Sequence, residues 1–148
     1  MSYISELYGD FFEKFCKEIC EDRYLEFFSD PASVYMDFDG KSQPYYIGTA
    51  EEFCEYFTNM YAWQYVDSAR NGTGLKEDLS AAAVKYRAVF DEGMPDPLTL
   101  KTLPAVDIVA VISVMFNIDN YCDGFMEQCA KAGVLPALLQ GLKERLGE

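Results

Sequence analysis

The chain has 148 residues, half of them hydrophobic and 16% aromatic, with 25 acidic side chains against 12 basic ones, no histidine and a formal net charge of −13. That length fits one domain able to bury roughly two-thirds of its unfolded surface, and the composition excludes the polar, aromatic-poor disordered class. The charge argues against direct binding to phosphate backbones or anionic membrane surfaces, and the lack of histidine removes the usual general base, the Ser-His and Cys-His pairs and every histidine metal site.

Charge and rings are unevenly spread within this single domain, residues 1–148. Residues 1–74 hold 14 acids and 5 bases, net −9, and 75–148 hold 11 and 7, net −4; 18 of the 23 aromatic residues precede Val66. An acidic, aromatic half is followed by an aliphatic, helical half.

In chain order, Ile4, Leu7, Tyr8, Phe11, Phe15 and Ile19 recur at helical spacing with charged residues between them, which predicts an amphipathic helix. Asp10 with Glu13 could form a capping box after Gly9, and "SDP" at 29–31 ends the segment. In "VYMDFDGKSQPYYIG", residues 34–48, Val34, Met36 and Phe38 alternate with Tyr35 and Asp37, Asp39-Gly40 is a turn signal, and the tyrosine pair returns the chain, so a small β-hairpin is expected near residues 33–47. Thr49 as N-cap with Glu52 reaching back predicts a helix from Ala50 past Trp63.

"NGTG" at 71–74 is a break, followed by a helix from about Leu75 to Phe90 with Leu79, Ala82, Ala83, Tyr86 and Phe90 inward. Gly93 and "MPDP" stop it. After Pro104, residues 105–116 are apolar nearly all round, as in a buried helix, with a buried strand as the rival because of the β-branched content. Two helices close the chain, at 119–131 and 136–146, the second with a stripe of Leu135, Leu139, Leu142 and Leu146. The fold class is α+β, predominantly helical, with five or six helices and one hairpin.

The N-terminal "MSYISELYGD" lacks the basic and apolar regions of a signal peptide, and the five cysteines are an odd number, so reduced thiols in the cytoplasm are expected. The most apolar run, "LPAVDIVAVISVMF", contains Asp107 and is shorter than the roughly 20 residues a membrane helix needs.

Chemical motifs are scarce. Asp37, Asp39 and Gly40 fail the EF-hand pattern, which would put ligands at Tyr35 and Tyr46; "DNYCDG" at 119–124 fails because Tyr121 and Ala130 occupy ligand positions. As strand residues, Asp37 and Asp39 would stand about 7 Å apart on one face, but without companions they read as a solvated turn. Cys16, Cys20, Cys122 and Cys129 lack the C-x₂-C spacing of a zinc site and read as small hydrophobes, and the acidic surroundings of Cys54 should raise its pKa. "NGTGLKED" reads as helix punctuation because Glu77 and Asp78 already fill the first turn, and Asp107 sits beside a helix start where a carboxylate is favoured. No metal, cofactor or catalytic residue is assigned.

Phe53, Phe57, Tyr61 and Tyr65, with Tyr56 and Trp63, spread rings over about 200° of one helix, wider than a minimal core stripe, while Glu51, Glu52 and Glu55 fall opposite. The resulting expectation is a non-enzymatic acidic interaction protein whose partner-binding residues are Asp37, Asp39, Tyr45, Tyr46, Glu51, Glu52, Glu55 and Trp63, and whose partner is a basic protein such as a nucleic-acid-binding nuclease complex. By class analogy it resembles the small acidic nucleic-acid mimics of phages and mobile elements, the anti-restriction and anti-CRISPR inhibitors.

Two alternatives stand beside it. From Phe11 to Phe57 a helix, "YLEFFSDPASVYMDFDG" and "YYIGTAEEF" follow in an order that resembles the first third of the cone-shaped fold of the nuclear transport factor family. That resemblance implies a small-molecule-binding domain or an enzyme with an apolar pocket; residues 62–148 depart from it, reading as helical where that family has long curved strands. The other alternative is a structural homodimer formed through the C-terminal leucine stripe.

Overall fold

The most apolar run of the sequence lies at the centre of the molecule. In a computed structural model, which describes residues 3–71 and 74–148, with side chains for 4–59 and 74–148, the order is α1 (Tyr3–Tyr8), α2 (Asp10–Ile19), α3 (Asp22–Ser29), β1 (Met36–Asp37), β2 (Tyr45–Tyr46), α4 (Gly48–Asn71), α5 (Leu75–Asp91), α6 (Pro97–Lys101), α7 (Ala105–Asp119), α8 (Phe125–Lys131) and α9 (Val134–Leu146). From Ala105 to Met115 every residue of α7 except Asp107 is buried. The helix reading of this run is correct and the rival strand reading is not: α5 lies along α7, and α8 and α9 also pack on it. At about 1.5–3 kcal/mol per large aliphatic side chain removed from water, this burial is a major contribution to the fold. Among the described residues, no helix is long and apolar enough to cross a membrane.

The described residues form nine helices and one two-stranded antiparallel sheet, more helices than the five or six expected. The surplus has local causes. Gly9, at φ 93°, separates α1 from α2, so the N-terminal amphipathic stretch is two helices. The expected capping box at Asp10 does not form; Gly9 is the N-cap, and Asp10 accepts a hydrogen bond from the Ser5 hydroxyl instead. Downstream, Asp96 caps the short α6 by accepting from the Leu98 amide at 3.0 Å, with Pro97 at the first helical position.

Aromatic rings fill the interface between the first half and α7. Phe53 and Phe57 of α4 stack on Phe116 with centroids 6.2 and 4.9 Å apart, Phe15 meets Phe57 at 5.3 Å, and Phe28 meets Phe53 at 5.0 Å. The interior that a nuclear transport factor cone would leave hollow is therefore occupied by rings, and Phe12, Phe15, Phe28, Phe53 and Phe57 are fully buried. Tyr61, Trp63 and Tyr65 lie outside the described side chains.

Several sequence-based expectations are corrected here. The final helices are α8, which starts at Phe125, and α9: α7 runs on to Asp119, and residues 120–124 form a turn. Leu135, Leu139 and Leu142 are fully buried against the rest of the chain and Leu146 is half-buried, so most of the leucine stripe packs within the chain. The Thr49–Glu52 capping box is absent because α4 begins at Gly48 and Glu52 pairs with Arg23.

All five cysteines are free thiols, and Cys16, Cys20 and Cys129 are buried. Burial raises the pKa of each above the ordinary value of 9.0, to about 11 for Cys20 and about 12 for Cys129. A raised folded-state pKa contributes stability that is complete below the unfolded pKa and lost as pH climbs to the folded one. Chemical denaturation should therefore show stability steady up to about pH 9 in respect of these groups and falling from there toward pH 11; a flat profile through that range would contradict it.

α6 crosses α9 so closely that a Cβ on Gly141 would stand 2.3 Å from the Lys101 carbonyl oxygen. The obstacle is backbone, so the helices must move apart. Gly141→Ala is expected to lower unfolding free energy by about 1–3 kcal/mol, measured by urea titration. Unaltered stability would show that α6 does not pack there.

Candidate protein-binding surface

The hairpin stands in the expected place, with Met36 opposite Tyr46 and Asp37 opposite Tyr45. The alternating residues do not sort into one buried and one exposed face, since Met36 is half-buried and packs on the core. Tyr35 turns inward, stacks on Phe28 at 5.7 Å and is 1% exposed, whereas Val34 and Phe38 are 63% and 56% exposed. Both faces of the segment are apolar, and the larger ring is the one buried.

Each strand contributes two residues, so Asp39 lies in the connecting loop, off the strand face it was expected to share with Asp37. Its carboxylate accepts from the amides of Lys41 at 2.8 Å and Ser42 at 2.9 Å and from the Ser42 hydroxyl, and these bonds hold its pKa below the usual carboxylate value. Asp37 accepts from the Phe38 amide at 2.7 Å. Both residues are exposed, and each carboxylate accepts from nearby backbone amides.

Tyr46 ties the hairpin to the body. Its hydroxyl donates to Asp119 Oδ1 at 2.6 Å and accepts from the Glu127 amide at 3.3 Å, and the same Asp119 oxygen accepts from the Met126 amide at 3.0 Å. One phenol thus joins β2, the last residue of α7 and the first turn of α8. Burial, then Asp119, pushes the Tyr46 pKa far up, which keeps the hydroxyl a donor. Lys131 secures the other end of the hairpin: its ammonium donates to the carbonyls of Pro31 and Ser33, each at 3.0 Å, and lies 4.7 Å from the Tyr35 ring centroid.

Of the expected partner-binding residues, Asp37, Asp39, Tyr45, Glu51 and Glu55 are exposed on the hairpin and the start of α4. Tyr46 is half-buried and structural. Glu52 is exposed but held 2.7 Å from Arg23, which also pairs with Glu21. Trp63 falls outside the described side chains.

Sequence reasoning missed Phe38 as an exposed ring, and missed Asp119, Asp123 and Glu127, which the Tyr46 contacts bring to the hairpin. Segments 32–59 and 117–127 together hold eight carboxylates and one cationic side chain, Lys41. Half-buried Cys54 marks their convergence: burial, then Asp119, Glu55 and Glu51, drive its pKa well above the ordinary thiol value. The acidic neighbourhood was legible in "EEFCEYF", but burial is the larger cause. Elsewhere some acids are paired, as in Lys14–Glu18 and Lys17–Glu13 on α2, Lys143–Asp22 between α9 and α3, and Arg145–Glu148 at the C-terminal end, while others, Asp30, Asp78, Asp96 and Asp107 among them, are in no ion pair among the described residues. Among the described residues, none of Asp37, Asp39, Glu51, Glu55, Asp119, Asp123 or Glu127 is in an ion pair.

Among the described residues, no group of three potential ligand side chains is placed to hold a metal ion. Comparison of the chain with protein-family models, with curated proteins and with solved structures yields no match.

Tyr46→Phe removes the donor to Asp119 and leaves the Glu127 amide without its acceptor. The expected loss is about 1–3 kcal/mol, together with faster hydrogen exchange at Ile47, whose amide bonds Tyr35 across the hairpin at 2.9 Å. Equal exchange in both proteins would mean that the phenol does not anchor the hairpin.

Proposed function

We propose that this chain is a non-enzymatic acidic interaction protein that occupies a basic, nucleic-acid-binding surface of a partner protein, in the manner of inhibitors that mimic nucleic acid. The observation that carries the reading is the gathering around the hairpin of seven carboxylates, none of which is in an ion pair among the described residues. On these segments the excess is eight acids to one lysine. Such a field steers cationic proteins and repels nucleic acid itself.

Spacing and chemistry favour a phosphate-binding partner over an arbitrary basic one. Glu51 and Glu55 are one helical turn apart, with Cβ atoms about 5–6 Å from each other, on the scale of successive phosphates along a strand. Phe38 and Tyr45, 56% and 44% exposed, stand among the carboxylates as apolar anchors. The absence of histidine from the chain also fits a binding role better than acid-base catalysis.

The test is capture from a lysate of cells carrying the gene, at about 0.1 M and about 0.5 M salt, with wild type and with Asp37, Asp39, Glu51 and Glu55 all changed to Lys. Wild type should retain a nucleic-acid-binding protein at the lower salt and release it at the higher, and the fourfold variant should associate at least about tenfold more slowly while melting as a folded protein. Capture that is indifferent to salt and to the four reversals would refute the proposal.

A further inference from the structure

At the opposite end of α7 from the hairpin, a cleft of about 410 Å³ opens between α1, α5 and the start of α7. Asp107 and Asp119 are twelve residues apart on α7, which places the two regions about 18 Å from each other along its axis. Buried Ile4, Ala82, Ala105 and Val106 line the cleft, and two carboxylates stand at its sides. Asp78, in the first turn of α5, accepts from the Tyr8 hydroxyl at 2.7 Å, and Asp107, in the first turn of α7, accepts from the Tyr86 hydroxyl at 2.8 Å.

In both cases the tyrosine engages Oδ2. Among the described residues Oδ1 accepts no hydrogen bond and neither carboxylate is in an ion pair, although Lys85 lines the same cleft. The Lys85 ammonium lies 5.2 Å from the Tyr86 ring centroid. Tyr86 is eight residues beyond Asp78 on α5, about 12 Å along the axis, and the lean of its side chain toward the helix N-terminus brings the carboxylates to about 8–12 Å apart. Between them the lining is small and apolar.

We propose that this cleft binds a linear aliphatic amine with a cationic group at each end, a diamine or polyamine whose methylene chain lies over Ile4, Ala82 and Ala105 while its ends meet Asp78 and Asp107. The alternatives fit less well. An anion would face two carboxylates. A neutral hydrocarbon would desolvate both free oxygens without replacing their water hydrogen bonds. A divalent metal ion needs several oxygens within one coordination sphere, and these two are too far apart. Lys85 stands beside the path of such a ligand and opposes it by like charge, so it limits affinity.

Calorimetric titration at about 0.15 M salt, which screens diffuse attraction to the acidic surface, provides the test with 1,8-diaminooctane and spermidine as probes. One equivalent of each should bind, with 1-aminooctane and 1,3-diaminopropane about tenfold weaker because each reaches one carboxylate. Asp78→Asn and Asp107→Asn keep an acceptor for their tyrosine hydroxyls, so the fold should persist, as the melting curve of each free variant checks, while affinity falls about tenfold; Lys85→Ala should raise it severalfold. The doubly substituted Asp37→Asn, Asp39→Asn protein should bind within about twofold of wild type, because those groups lie at the far end of α7 beyond a Debye length. No binding, no dependence on amine length, or equal losses in the hairpin and cleft variants would each overturn the proposal, the last by reducing it to counter-ion attraction.

Discussion

The hydrogen bond from Tyr46 to Asp119 joins residues 73 positions apart and sets where the negative surface lies. Hairpins with two-residue strands have little stability of their own, since a handful of ladder bonds does not offset the chain entropy of closing the loop. Held by Tyr46 at one end and Lys131 at the other, the segment becomes a fixed projection of the helical body. Asp119 serves three purposes: it receives the phenol, it accepts the Met126 amide at the start of α8, and it adds its own charge beside Glu51 and Glu55.

The asymmetry of the surface follows from where the few cations are used. With 12 Lys and Arg for 25 acids, many carboxylates must remain without a cationic partner, and the placement of the bases decides which. The helices α2, α3 and α9 draw Lys14, Lys17, Arg23, Lys143 and Arg145 into pairs, some within one helix and some, as Lys143–Asp22 and Arg23–Glu52, between helices. Such exposed pairs contribute little stability each. Their arrangement leaves Lys41 as the cationic side chain of the hairpin segments themselves, with the charge of Lys131 held nearby by the Pro31 and Ser33 carbonyls.

Much of the fold was legible because the signals were strong: the all-apolar run of α7, the period of α5 and the Asp39-Gly40 turn each correspond to an element where they were expected. The failures share a cause. Periodicity cannot say which apolar face wins when both faces carry bulky residues, so it left open that Tyr35 would be buried and Phe38 exposed. Local capping signals at Asp10 and Thr49 were overridden, the first by a glycine that breaks the helix a residue earlier, the second by Arg23 arriving from 29 positions away to take Glu52. Asp119 was invisible as an anchor of the hairpin because Tyr46, which donates to it, lies 73 positions away and meets it only in three dimensions. The Asp78–Asp107 cleft was missed for the same reason: each Asp reads alone as a helix-start carboxylate, and only the packing of α5 on α7 sets them on either side of one apolar floor.

At the centre of this account is the idea that the carboxylates around the hairpin stand in for phosphates, so that the protein and a nucleic acid compete for one surface of the partner. The most direct measurement is fluorescence anisotropy of a labelled oligonucleotide bound to the captured partner, followed as this protein is added. The account predicts that the anisotropy falls to that of free oligonucleotide at one equivalent. An unchanged or rising signal, the mark of a ternary complex in which both are held together, would contradict it.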